Sequence, residues 1–134
     1  MSTLASKLSL TQVGRVCVTI SDTDRAIDFY VDTLGFDLVA DNPMGPDQRW
    51  VQVAPKGGQT ALTLVTWFAT MPPGSLRGLV LQTPDVDAET ERLRAAGVDI
   101  TGPVDEEWGR YATFDDPDGN GLVLSSGPLV DPGA

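Results

Sequence analysis

The sequence predicts an α+β fold built from two tandem βαβββ modules that curl into a concave sheet cup. Three observations predict it. The order strand, helix, strand, strand, strand runs twice along the chain. Matching residue pairs recur at matching places in the two halves. The composition, 41% hydrophobic and 21% charged over 134 residues, suits one compact domain. That domain is expected over 13–126, as module one 13–68, a linker 69–76 and module two 77–126. The polar stretch 1–12 and the Pro/Gly-rich stretch 127–134 read as tails.

In the first half, RVCVTI from Arg15 to Ile20 is β-branched and reads as a strand. Ser21 or Asp22 caps a helix from Asp24 to Leu34, whose Ala26, Ile27, Tyr30 and Leu34 keep the spacing of one helical face, and Gly35 stops it. Phe36 to Ala40 is a second strand, and DNPMGPDQ (41–48) a loop rich in turn formers. Trp50 to Ala54 and Ala61 to Trp67 form a hairpin around PKGGQ (55–59). FATMPPGS (68–75) then breaks the pattern before the order restarts.

In the second half Gly78 to Thr83 is a strand, and Asp85 opens a helix that runs to Ala96 and stops at Gly97. Val98 to Thr101 follows, and Leu122 to Ser125 is the last strand. Asp22-x-Asp24 matches Asp85-x-Asp87, Arg49-Trp50 matches Arg110-Tyr111, and the Gly57-Gly58 turn matches DPDGN (116–120). Asp116, Asp118 and Asn120 read as a turn, because the oxygen ring and distal Glu of a calcium loop are missing.

Composition excludes several function classes. With no His and a single Cys, imidazole metal sites, thiolate clusters, intramolecular disulfides and Ser-His or Cys-His nucleophile pairs are ruled out. Nine basic against nineteen acidic residues give a net charge of −10, which disfavours nucleic acid and slightly favours a cationic or neutral ligand. No run approaches the roughly 18 apolar residues of a membrane span, so no membrane partner and a cytoplasmic location are expected.

The strings SDTDRAIDFYVDTLGF (21–36), RWVQVAP (49–55) and WGRYATFDDPDGN (108–120) together resemble the vicinal oxygen chelate superfamily, the glyoxalase/bleomycin-resistance/dioxygenase family, over roughly residues 13 to 126. The resemblance implies a sheet cup that in the family's enzymes binds one divalent metal through two residues per module. This sequence departs from that pattern at each ligand place: Arg15, Gly78, Val123, and Leu62 or Thr63 depending on a one-residue gap. A fixed cation, a bare backbone and an alkyl group are not metal ligands. No metal and no cofactor are expected, and metal-dependent glyoxalase or dioxygenase activity is not.

The chain is similar to the family's metal-free resistance proteins, which resemblance implies are homodimers that sequester a drug unchanged. The expected function is binding of an aromatic natural product or antibiotic; the alternative is a metal-free cyclase or isomerase of a biosynthetic pathway on the same fold. No catalytic residue is assigned. Strand alternation places Arg15 and Cys17 on the cup face, with Gln82 on the equivalent strand. Trp50, Trp67, Trp108 and Tyr111 lie on or beside cup strands, where rings stack on planar ligands, and Gln52 follows Trp50 on the same face. These eight, Arg15, Cys17, Trp50, Gln52, Trp67, Gln82, Trp108 and Tyr111, are the candidate ligand-binding residues. Each also has an ordinary role: Arg15 in an ion pair, Cys17 as a buried hydrophobe, the rings as core.

Overall fold

The computed structural model describes residues 9–127. The elements are β1 (Arg15–Thr19), α1 (Thr23–Ile27), β2 (Asp37–Pro43), β3 (Arg49–Ala54), β4 (Ala61–Val65), β5 (Leu79–Gln82), α2 (Val86–Ala95), β6 (Ile100–Glu106), β7 (Gly109–Asp115) and β8 (Gly121–Ser125). The order βαβββ thus occurs twice. The expected tails at 1–12 and 127–134 lie mostly outside the described residues. None of the described helices is long and apolar enough to cross a membrane.

The two sheets have the same topology, β1-β4-β3-β2 and β5-β8-β7-β6. In each, the first strand runs parallel to the last and the remaining pairs are antiparallel. The repeat extends to irregularities, since β2 and β6 both shift register partway along, between Leu38 and Ala40 and between Thr101 and Val104. It extends to caps as well. The Asp22 carboxylate accepts from the Arg25 amide at 3.1 Å and the Asp85 carboxylate from the Ala88 amide at 3.0 Å, each satisfying a free donor of a first helical turn.

Two expectations are corrected. The helix expected from Asp24 to Leu34 is α-helical only to Ile27 and widens into a π-helical segment, Asp28–Thr33. The wider turn lets the adjacent Phe29 and Tyr30 both meet module two, through Phe114 at 6.3 Å between ring centroids and through Asp116. The loop expected over 41–48 starts as strand, because β2 continues to Pro43 alongside β3; β6 likewise reaches Glu106.

The core is a single cluster that joins the modules. Val18, Ile20, Tyr30, Val51, Val53 and Leu64 of module one pack in it with Leu93, Ala112, Phe114, Leu122 and Leu124 of module two. The helix-bearing faces of both sheets are therefore buried together, and the opposite faces lie outside that core. The two sheets are hydrogen-bonded as separate four-stranded units, with β1 and β5 each paired on one edge only.

Candidate functional site

Val16 and Val18 on β1, and Ile20 just after it, join the core, so alternation turns Arg15, Cys17 and Thr19 to the outer face of the first sheet. Registers extend that face sideways. Cys17 lies opposite Thr63 on β4, and Thr63 opposite Gln52 on β3, giving a row Cys17, Thr63, Gln52. Arg15 stands one row away, opposite Ala61. Its guanidinium carbon reaches 5.6 Å from the centre of the Trp50 ring, a cation–π contact across the face. The hydroxyls of Thr19 and Thr63, in residues 2% and 0% exposed, have no hydrogen-bond partner among the described residues. The Cys17 thiol is free and half-buried.

The second sheet repeats the pattern. Val80 lies opposite Val123, which faces Thr113, which faces Thr101; one row on, Gln82, Ser125, Tyr111 and Val104 follow. Trp108, 53% exposed, stacks on Tyr111 with ring centroids 5.4 Å apart and planes 22° from parallel. The Gln82 side-chain amide donates to the Gly127 carbonyl and so ties down the chain after β8. At the end of module one Trp67 packs edge-on against Phe68 at 6.2 Å.

Two cavities open nearby. One of about 670 Å³ is lined by Gly78, Val123, Thr101 and Thr113 together with Phe29 and Phe114. Another of about 620 Å³ lies between the Pro55–Thr60 turn and β5. Of the eight candidate residues only Gln82 lines either. The structure thus groups the eight by module. Arg15, Cys17, Trp50 and Gln52 share the first face, Gln82, Trp108 and Tyr111 the second, and Trp67 stands apart beside Phe68.

The structure also resolves which residue of module one corresponds to Val123. Thr63 is opposite Cys17 as Val123 is opposite Val80, so the position is Thr63 and not Leu62. The four chelate positions are then Arg15, Thr63, Gly78 and Val123. Their donor set, one hydroxyl beside a guanidinium, does not fit a divalent cation. Gly78 has φ +76°, a conformation unfavourable to any ligating side chain there, although the space itself is open. Among the described residues no group of three His, Cys, Asp or Glu side chains is placed to hold a metal.

Charges elsewhere are arranged in matched sets. Arg49 pairs with Asp24 and Asp41, both at 2.8 Å, and Arg110 pairs with Asp87 at 3.0 Å and Asp105 at 2.8 Å. Hydrogen bonds donated to these carboxylates hold both guanidinium groups even further above their usual range. The Arg110 hydrogen bond in turn lowers the Asp87 carboxyl. In the core, burial first and the Asp116 carboxylate second push the Tyr30 phenol far up. These groups are structural. Sequence reasoning left the Thr63 register open and did not mark the Thr63 hydroxyl; the parallel pairing of β1 with β4 is the signal that fixes it.

Known proteins share this sequence and architecture. A family model described as Glyoxalase/Bleomycin resistance protein/Dioxygenase superfamily matches residues 12–124. The structure of TnmS3, an antibiotic binding protein from Streptomyces sp. CB03234, is 54% identical with a TM-score of 0.86, covering 90% of this chain and 99% of that one. A glyoxalase/bleomycin resistance protein from the same strain is 56% identical with a TM-score of 0.78, covering 85% and 99%. The uncharacterized protein YetH of Bacillus subtilis (strain 168) is 38% identical over 117 residues, 84% of this chain and 96% of that protein. With nearly the whole described chain matched and both βαβββ modules in place, this protein belongs to the glyoxalase/bleomycin resistance protein/dioxygenase superfamily.

Proposed function

We propose that the protein is a metal-independent small-molecule binder that sequesters an aromatic natural product or antibiotic and releases it unchanged. The observation that carries this reading is the likeness to an antibiotic binding protein, at 54% identity across 99% of that chain. The chemistry of the faces supports it. Trp50 and the Trp108–Tyr111 stack offer flat apolar walls, and a ligand ring added to such a wall gains roughly 0.5–1.5 kcal/mol beyond area burial. The residues at the chelate positions, Arg15, Thr63, Gly78 and Val123, offer no carboxylate or imidazole to a metal.

The binding unit in this reading is a homodimer. The two groups of candidate residues stand on separate sheets, and β1 and β5 keep a free edge each. Val80, Val104 and Trp108 on the second outer face are 54%, 40% and 53% exposed. A second copy that sets one chain's first sheet beside the other's second sheet joins both groups around one ligand and covers this apolar surface.

The test is a tryptophan-fluorescence titration against aromatic antibiotics, with sedimentation of the same samples and mass and retention-time analysis of recovered ligand. Expected are saturable quenching at micromolar concentration, one ligand per site, a dimer mass, and ligand recovered unaltered. Turnover to a new product would place the protein among enzymes, and absence of quenching across the panel would overturn aromatic binding.

A further inference from the structure

Across β1, β3 and β4 the first sheet's outer face carries one charge, Arg15; on the edge strand β2 the register adds Asp37, opposite Ala54, and Lys56 pairs with it. The protein has ten more acidic than basic residues, and six of the seven arginines have a carboxylate within 4 Å: Arg25, Arg49, Arg77, Arg92, Arg94 and Arg110. Arg15 has none among the described residues. Every other residue that β1, β3 and β4 turn to this face is uncharged. Where acids are abundant, a guanidinium that these three strands leave without a carboxylate is available for something else.

Its setting favours a flat, oxygen-rich anion. With the guanidinium over the Trp50 ring, its fork of N–H donors remains free at the edge of the aromatic surface. To reach Trp50 from its place opposite Ala61, the Arg15 chain crosses the row of Cys17, Thr63 and Gln52. In the middle of that row the Thr63 hydroxyl is fully buried and unpartnered, as is the Thr19 hydroxyl one row on. A buried hydroxyl without a partner costs free energy in the unliganded protein. An oxyanion that reaches this row offers the Thr63 hydroxyl the acceptor it lacks.

We infer that this face recognises an aromatic ligand bearing an ionised oxygen, a carboxylate or phenolate, which binds the Arg15 guanidinium while its ring lies on Trp50 and Thr63 donates to the same oxygen. Arg15 thus stands as a fixed cation at a chelate position. This specifies the ligand class within the sequestration reading and rests on it. It also reverses the preference that net charge alone suggests, because the local guanidinium outweighs a diffuse, screened field.

The experiment uses three probes with one ring system, naphthoate, naphthamide and naphthylmethylammonium, in tryptophan-quenching titrations of the full chain. Naphthoate is expected to bind on the order of ten-fold tighter than naphthamide, the value of one charge-assisted pair. Arg15→Gln removes that preference, Arg15→Lys keeps part of it, and both melt at the wild-type temperature because Arg15 is exposed. Thr63→Val folds and weakens naphthoate selectively. Equal binding of naphthoate and naphthamide, tighter binding of the cation, or an unchanged preference in Arg15→Gln overturns the anion assignment and leaves aromatic binding standing. If none of the three quenches, aromatic binding fails and the anion assignment falls with it.

Discussion

The Tyr30 hydroxyl donates to Oδ2 of Asp116 at 2.9 Å, a buried bond from the π-helical segment of module one to the β7–β8 turn of module two. Asp116 also accepts from the Asn120 side-chain amide at 2.8 Å and from the backbone amides of Asp118 and Asn120, both at 2.9 Å. Asn120 passes the connection on, donating to the Thr19 carbonyl and accepting from the Leu76 amide. The DPDGN turn is therefore the polar joint between the modules. Tyr30 is fully buried, and burial with the neighbouring carboxylate raises its phenol well above the usual 10.0. A group whose folded pKa is raised contributes stability that is complete below its unfolded pKa and is lost as pH rises past it. Unfolding free energy should therefore fall above pH 10 by up to about 1.4 kcal/mol per pH unit from this residue. Denaturant melts from pH 8 to 11 check this. Tyr30→Phe should be less stable at pH 8 by ~1–3 kcal/mol, having left Asp116 short of a donor, and should show a shallower alkaline loss than the wild type. Parallel curves would remove Tyr30 as the source.

Gly74 locks the inter-module connection onto the same turn. Its φ is +83°, and a Cβ there would run into the backbone carbonyl oxygen of Asp118. Backbone cannot yield as a flexible side chain can, and the left-handed conformation adds strain for any residue with a Cβ. Gly74→Ala should therefore destabilise the protein by at least about 1–3 kcal/mol, although it lies outside every helix and strand. Thermal melting against Gly57→Ala, where φ is +73° but the space is open, separates the clash from the strain. Equal losses in the two variants would mean that the Asp118 contact is relieved at no cost.

Much of this was legible because the signals are local. Alternation on β1 and β5, the paired caps Asp22 and Asp85, and the repeated Arg-aromatic pairs Arg49-Trp50 and Arg110-Tyr111 each depend on a few adjacent residues. The ion triads centred on Arg49 and Arg110 show the repeat down to individual carboxylates. The π-helical segment was not legible, since a 3.6-residue pattern does not register a wider turn imposed by contacts to Phe114 and Asp116 about 85 residues away. The division of the candidate residues between two sheets was legible from the module bounds, since each βαβββ unit forms its own sheet. Gln82 looked free from its place on a strand, yet its amide is engaged by Gly127.

Asp87 should titrate below ordinary exposed carboxylates, because the Arg110 hydrogen bond lowers it. A lowered folded pKa means that the ion pair's support is present above the unfolded value and disappears as pH falls through the folded one. Side-chain carbon NMR from pH 2 to 6 reads the midpoint directly. Arg110→Gln is expected to return Asp87 to the usual range. A midpoint unmoved by the substitution would mean that solvent screens the pair completely.

Trp108 gives the sharpest test of whether the second sheet takes part in binding. One ring face is occupied by Tyr111 and the residue is half exposed, so part of the indole surface remains available to a further ring. Removing a half-exposed side chain from a turn opens no core cavity, and Trp108→Ala should melt close to the wild type. Losing one stacking surface should weaken an aromatic antibiotic by roughly 0.5–1.5 kcal/mol, about two- to ten-fold in Kd. The same loss from Trp50→Ala would put both faces around one ligand. If Trp50→Ala weakens binding and Trp108→Ala does not, the ligand sits on the first sheet alone, and the Trp108–Tyr111 stack serves only to close the turn between β6 and β7.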